Sequence, residues 1–232
     1  MTKKGKRRRG MCEICGVDGF VSRDHLPPES FFEKPLPTDL FSVAACDSCN
    51  NGSSEDDEYF RNAVCLSEYR GNSRHAIAGC EKAIRSLKRS HRHRAEFLRA
   101  TKRVLPRDAN DEDERTRLAF TVEAERINAV VRRISRGIFY KETGCILPAH
   151  INVTVDTPET FDLCDQETQE MMVRTILNPL ESVSERSFAG GLFRYKFMNP
   201  NAGSYAAVWR MVLYNKLPVL CLSRSLDIEA PT

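Results

Sequence analysis

Two C-x-x-C pairs constrain this chain more than any other feature of its sequence. The first pair is Cys12 and Cys15, and the second is Cys46 and Cys49. Tetrahedral zinc takes four thiolate or imidazole ligands, and each pair can present two sulfurs to one ion from a tight turn. A site closed by four cysteines has no open position for substrate, so the predicted zinc is structural. A redox-active pair is the alternative, but the sequence lacks the expected strand-and-helix context, and the second pair would stay unexplained.

Composition and hydropathy indicate a protein with a packed core and no membrane segment. The 232 residues are 41% hydrophobic, which suffices for one substantial domain or two small ones. There is no run of about eighteen apolar residues, and the basic N-terminus leads into Cys12, so neither a membrane span nor a secretory signal is expected. The nine cysteines include an odd one, which favours reduced thiols, some of them holding metal, and a cytoplasmic location.

Basic residues are concentrated in two places, although the net charge is only +3. Six of the first nine residues are Lys or Arg, and a second basic run extends from Lys88 to Arg103. Such runs neutralise phosphates and release counterions, which gives salt-dependent affinity for a polyanion. A solvated face or a disordered tail would explain either run alone equally well. The expected partner is nucleic acid, with DNA preferred, and no membrane association is expected.

The residue pattern changes along the chain and predicts an α+β protein. The four-cysteine segment, residues 11–68, has short strand-like pieces and too few apolar residues to fold without metal. Apolar residues recur at helical spacing from Ser73, and a second long helix is predicted from about Glu114 to Tyr140. Near the C-terminus an antiparallel hairpin is predicted across Asn215 and Lys216. The predicted parts are a basic disordered arm (1–10), the four-cysteine segment (11–68), a basic helical connector (69–105), an acidic linker (106–113) and an α+β C-terminal domain of unknown role (114–232).

Three polar residues, which lie between the two cysteine pairs or directly after the second pair, suggest catalysis. Asp24 and His25 follow a short strand-like stretch, and Asn50 comes directly after the second cysteine pair. We expect the zinc clamp to bring the three together. Carboxylate and amide oxygens suit Mg²⁺ or Mn²⁺, and a neutral His can take a proton from an attacking water. This combination is suited to cleaving a phosphodiester.

The order C-x-x-C, D-H, C-x-x-C-N, over about Cys12 to Phe60, resembles the zinc-containing four-cysteine branch of the HNH (His-Me finger) endonucleases. The resemblance implies a ββα-metal core, in which two strands and a helix surround one divalent cation. It implies that His25 is the general base and that Asp24 and Asn50 are ligands of the catalytic Mg²⁺ or Mn²⁺. The cation would stabilise the phosphate transition state and the leaving 3′-oxygen.

Two features depart from the family pattern. Many members carry an Asn that orients the catalytic His, and the nearest polar equivalent here is Asp39. An acidic stretch follows the C-N, and within it Asp57 is either an additional metal ligand or a carboxylate that favours a helix start. Asn51 could take the place of Asn50. The other histidines have no partner at ligand spacing, so they are assigned to a basic helical face (His75, His91, His93) or to a structural role (His150).

Three functions remain open from the sequence alone. The leading one is a metal-dependent endonuclease that hydrolyses phosphodiester bonds, in DNA by preference, with a structural Zn²⁺ and a catalytic Mg²⁺ or Mn²⁺. The second is a non-catalytic, zinc-dependent nucleic-acid-binding module in which the Asp-His pair is incidental. The third is a nuclease subunit that is active only with a partner protein, or as a homodimer, through its C-terminal domain.

Overall fold

The structure is a computed structural model that describes residues 7–67, 74–104, 117–201 and 203–224. The predicted acidic linker, 106–113, and residues 1–6 of the predicted arm lie outside the described residues. The fold is α+β with antiparallel sheets, as predicted. In chain order the elements are β1 (Arg8–Met11), β2 (Asp18–Leu26), β3 (Phe41–Cys46), α1 (Ser54–Leu66), α2 (Arg74–Arg89), α3 (His91–Ala100), β4 (Thr101–Val104), β5 (Arg117–Phe120), α4 (Ala124–Thr143), β6 (Val153–Asp156), α5 (Pro158–Asp162), α6 (Gln166–Met172), α7 (Asn178–Glu181), β7 (Arg186–Phe188), β8 (Phe193–Met198), β9 (Ala207–Leu213) and β10 (Leu217–Ser223).

The first sheet has the antiparallel order β1-β2-β3 and leads into α1. The prediction of a disordered arm over residues 1–10 is wrong at its end. Residues 8–10 belong to a strand, because Arg8 pairs with Val21 and Gly10 with Gly19. The first cysteine pair causes this pairing. It forms the turn between β1 and β2, where Cys12 N donates to Val17 O and Gly16 adopts a positive φ of 80° that glycine tolerates without strain.

The predicted long helix from Glu114 to Tyr140 is wrong at its start. β5 occupies Arg117–Phe120 and pairs with β4, so that α4 begins only at Ala124. An aromatic contact stabilises the hairpin, because the rings of Phe97 and Phe120 lie 5.2 Å apart. The hairpin joins the predicted connector to the start of the predicted C-terminal domain, so the boundary proposed between them does not separate two bodies.

The second sheet has the antiparallel order β6-β10-β9-β8-β7. The predicted hairpin across Asn215 and Lys216 is confirmed, since β9 and β10 pair from Leu213–Leu217 to Ala207–Ser223. Trp209 is fully buried and packs on Phe139 of α4, with ring centroids 6.3 Å apart. In the described part of the chain, no helix has both the length and the apolar character needed to cross a bilayer.

One hydrophobic core connects the four-cysteine segment to the C-terminal sheet. Helix α4 packs against α1 and β3, and its Gly137 lies so close to Leu26 of β2 that a Cβ atom there would come within 1.9 Å of Leu26 Cδ1. Tyr214, between β9 and β10, donates from its hydroxyl to Phe31 O at 2.9 Å. The segment predicted as a separate domain therefore relies on α4 and the second sheet for part of its core.

Candidate metal centre and the Asp24–His25 site

The four cysteines of the two C-x-x-C pairs converge, as predicted. Their sulfur atoms all lie within 4.8 Å of one another, and Cys15 Sγ is 3.8 Å from Cys46 Sγ. Cys12 and Cys15 lie on the β1–β2 turn, whereas Cys46 ends β3 and Cys49 follows it. Within the described residues, no other group of three or more His, Cys, Asp or Glu side chains is close enough to hold a metal.

The environment of this cluster favours the thiolate form at Cys12, whereas burial raises the pKa of Cys15 and the contact with Cys12 raises the pKa of Cys49. A hydrogen bond from Cys49 lowers the pKa of Cys12 to about 4, and the backbone N–H of Cys46 contributes by donating to Cys12 Sγ at 3.3 Å. Arg136 of α4 is close enough to Cys15 and Cys49 for electrostatic attraction, which opposes the lowering of the Arg136 pKa by burial. Four sulfurs at this spacing could hold a metal such as zinc.

Asp24 lies on β2 opposite Val43 and is almost completely buried, with 6% of its surface exposed. Its Oδ2 atom has no hydrogen-bond partner among the described residues and lies 3.7 Å from Nε of Arg133. The pKa of Asp24 is raised to about 7, mainly by burial and also by the charge of Asp57, against the opposing effect of Arg133. The carboxylate is thus buried beside a guanidinium that makes no hydrogen bond to its Oδ2.

Arg133 reaches the site from α4 and connects its parts. Nη2 donates to Asp57 Oδ1 at 2.6 Å, and Nη1 donates to the carbonyl oxygen of Cys49 at 3.3 Å. Asp57 lies in the first turn of α1, where a carboxylate is favoured by the helix dipole. Burial raises the pKa of Asp57, and Arg133 opposes this. One guanidinium therefore joins β2, α1 and the second cysteine turn.

His25 points to the other face of β2, because successive side chains of a strand alternate and His25 lies opposite Ser42. Its Nδ1 atom is 2.8 Å from Oε1 of Glu29. Burial lowers the pKa of His25, and Glu29 opposes this lowering. No hydrogen bond from the described residues occupies Nε2, so the contact with Glu29 leaves that nitrogen as the acceptor of a neutral ring.

Asn50 lies against β2 beside Asp24. Its Nδ2 atom donates to Ser22 Oγ at 3.0 Å and to the carbonyl oxygen of Arg23 at 3.2 Å. Because a backbone carbonyl can only accept, the amide nitrogen must face β2, and Oδ1 then carries no hydrogen bond within the described residues. Asn51, the alternative considered from the sequence, instead donates to Asp47 Oδ1 at 3.0 Å.

The predicted convergence of Asp24, His25 and Asn50 is thus only partly seen. Asn50 bonds to the residue before Asp24, but His25 has a different partner on the opposite face. Asp39, the expected equivalent of the orienting Asn, accepts from the backbone N–H of Ala189, and the residue that bonds to His25 is Glu29. Of the other histidines, His75 is buried and accepts from Glu33 N–H at 3.1 Å, so its assignment to an exposed basic face is wrong. His91 lies near Arg94 on α3, and His150 is exposed. The side chain of His93 lies outside the described residues.

The sequence interpretation missed Glu29 and Arg133. Glu29 had a weak signal, since it follows His25 by four residues across two prolines. Arg133 had a stronger one, because it falls among Val130, Val131 and Ile134 in the apolar stripe of α4. A charged residue at a core-facing position needs a buried partner of opposite charge.

The described residues from Arg74 to Arg103 form the most basic part of the structure. They contain ten Lys and Arg residues against two Glu residues, a net charge of +8, whereas the whole chain carries +3. The exposed basic residues on α2 and α3 include Arg85, Lys88, Arg89 and Arg92.

Comparison of the chain with models of protein families, with curated proteins and with solved structures finds no match.

Proposed function

We propose that the protein is a metal-dependent endonuclease of the HNH (His-Me finger) type that hydrolyses phosphodiester bonds in nucleic acid, with DNA as the expected substrate. One observation carries the proposal. The antiparallel pair β2–β3 is followed by α1, a cluster of four cysteines joins the ends, and a histidine follows a buried aspartate whose Oδ2 lacks a hydrogen bond within the described residues. This is the chain order of parts in a ββα-metal core, and the proposal requires a cation at Asp24 and a base at His25 to reach one phosphate although the two side chains alternate across β2.

The residues present fit a divalent cation. Asp24 offers a carboxylate oxygen without a donor, Asn50 offers its amide oxygen, and such hard oxygens are the ligands of Mg²⁺ and Mn²⁺. When bound, the cation supplies stabilisation of the phosphate charge and of the leaving oxygen. The four cysteines hold a structural Zn²⁺ that fixes Asn50 against β2.

His25 acts as the general base in this proposal. Nδ1–H of His25 donates a hydrogen bond to Glu29, which leaves Nε2 free to take a proton from the attacking water. Burial keeps the pKa of His25 below its ordinary value, so the ring is neutral at neutral pH. The basic face of α2 and α3 supplies contacts to the phosphates of the bound nucleic acid.

A non-catalytic, zinc-dependent nucleic-acid-binding module is the second candidate. It is favoured by one observation, namely that Arg133 already lies beside Asp24 and Asp57 as a buried counter-ion. In that case both carboxylates serve stability, and binding to nucleic acid depends on the basic face alone.

A nicking assay separates the two candidates. Wild type, His25→Ala and the matched control His150→Ala are incubated with supercoiled plasmid, single-stranded DNA and RNA in Mg²⁺, Mn²⁺ or EDTA. We expect metal-dependent cleavage by wild type and His150→Ala, and a loss of about 10²- to 10⁴-fold in His25→Ala. Undiminished cleavage by His25→Ala would contradict the role of His25. Salt-sensitive binding without cleavage by wild type would favour the binding module, or a nuclease that requires its partner.

A further inference from the structure

Arg133, Asp24 and Asp57 form a buried group in which two carboxylates share one guanidinium. The side chains of Arg133 and Asp24 are 6% and 8% exposed, and that of Asp57 is 14% exposed. The sharing is unequal. Asp57 receives a hydrogen bond of 2.6 Å, whereas Nε of Arg133 and Oδ2 of Asp24 are 3.7 Å apart, and each lacks a hydrogen-bond partner among the described residues.

Charge counting shows what the group lacks. When both carboxylates are ionised, two carboxylates and one guanidinium leave one negative charge in a place where little water reaches. An uncompensated buried charge is costly, and the atom left without a donor is Oδ2 of Asp24. The missing positive charge therefore belongs at Asp24, on the side where Asn50 also bonds to β2.

We infer that Arg133 assigns the two carboxylates to different tasks. It binds Asp57 and thereby excludes it from the metal, and it leaves Asp24 as the carboxylate that ligates a divalent cation. This inference rests on the cation of the proposed function and decides between the two roles that the sequence left open for Asp57. Arg133 is a positioning residue, because it acts through Asp57 and through the carbonyl of Cys49.

Two charge-matched double variants test this assignment. With its carboxylates ionised, the site of the wild-type protein carries a net charge of −1, and so do the sites of Asp57→Asn/Arg133→Met and Asp24→Asn/Arg133→Met. Differences in Mn²⁺ affinity between these three proteins therefore report ligation and not overall electrostatic attraction. Binding of MnCl₂ to the zinc-loaded proteins is measured by isothermal titration calorimetry, with Arg132→Met as the control, since the neighbouring Arg132 contacts Val153 O and Glu125 instead.

We expect Asp57→Asn/Arg133→Met to bind Mn²⁺ within about threefold of wild type, and Asp24→Asn/Arg133→Met to bind at least about tenfold more weakly. Single Asp57→Asn should also bind more weakly than wild type, because the guanidinium then turns to Asp24. Zinc content and circular dichroism show whether each variant folds. If the double variants with Arg133→Met do not fold, Arg133→Gln replaces Arg133→Met in both of them.

The inference is overturned if Asp57→Asn/Arg133→Met loses affinity as strongly as the Asp24 pair, or if wild type binds no Mn²⁺. The proposed function fails by a different result, which is the absence of metal-dependent plasmid cleavage by the wild-type protein. A protein that binds Mn²⁺ through Asp24 and cleaves nothing would keep the inference and reject the nuclease.

Discussion

Nδ1 of His25 lies 2.8 Å from Oε1 of Glu29, four residues later in the chain. If His25 is the general base, this contact fixes its ring and tautomer. Glu29→Gln should therefore lower kcat by about tenfold while KM changes little, because an outer partner of a functional histidine acts on its orientation. The measurement is steady-state plasmid nicking. Glu33→Gln is the control, since the nearby Glu33 meets His75 through its backbone N–H, and an equal loss in both variants would contradict the specific role of Glu29.

The four-cysteine cluster should be required for folding. Cys46→Ser removes a ligand and should reduce bound zinc well below one equivalent, since structural zinc contributes about 10 kcal/mol or more to folding in small zinc domains. We expect a clear drop in melting temperature and an acquired sensitivity to proteolysis. Cys145→Ser, at an exposed cysteine, should keep both zinc and melting temperature. Zinc is measured by atomic absorption, and an unchanged metal content in Cys46→Ser would refute the zinc assignment.

Gly137 of α4 should tolerate no larger side chain. A Cβ atom there would lie 1.9 Å from Leu26 Cδ1 and 3.7 Å from Val43 Cγ1, so Gly137→Ala must displace β2 or α4. Overpacking of this kind costs about 1–3 kcal/mol, which exceeds the gain of about 1 kcal/mol from replacing glycine within a helix. Urea unfolding should show a net loss of stability. Gly19→Ala, where a Cβ meets nothing within 4 Å, should change stability by less than about 0.5 kcal/mol.

Tyr214 should stabilise the four-cysteine segment from the opposite side of the core. Tyr214→Phe removes the hydrogen bond of 2.9 Å to Phe31 O and leaves a buried carbonyl unpaired, at a cost of about 1–3 kcal/mol. Phe31 stacks on Phe60 of α1 at 5.0 Å, so the loss should also be detectable as faster amide exchange in α1. Tyr140→Phe, which affects a hydrogen bond to Glu13, serves as the comparison. Equal stability of wild type and Tyr214→Phe would contradict this coupling.

Short-range signals in the sequence predicted much of what the structure shows. The C-x-x-C spacing anticipated the cluster of sulfurs, and alternating apolar residues predicted the β9–β10 hairpin. Both signals depend only on residues that lie close together in the sequence. The β4–β5 hairpin was missed because its strands are only four residues long and its apolar residues also fit a helical period.

Contacts between distant segments could not be predicted from local patterns. Arg133 follows Asp57 by 76 residues and Cys49 by 84, and nothing in a periodic helical stripe specifies which strand it will cover. The same holds for the shared core, since the sequence suggested a boundary near residue 68 and gave no sign that Tyr214 would meet Phe31. These relationships follow from tertiary packing alone.

The position of α4 across β2 also limits which parts of this protein can be moved into another chain. Arg133 and Gly137 lie one helical turn apart, and the first places its guanidinium 3.7 Å from Asp24 while the second makes room for Leu26. The residues on either side of His25 are thus fitted to a helix encoded far downstream. A four-cysteine segment transplanted alone into another chain would arrive without its counter-ion and without part of its core, so in this protein the segment depends on the C-terminal region for its folding.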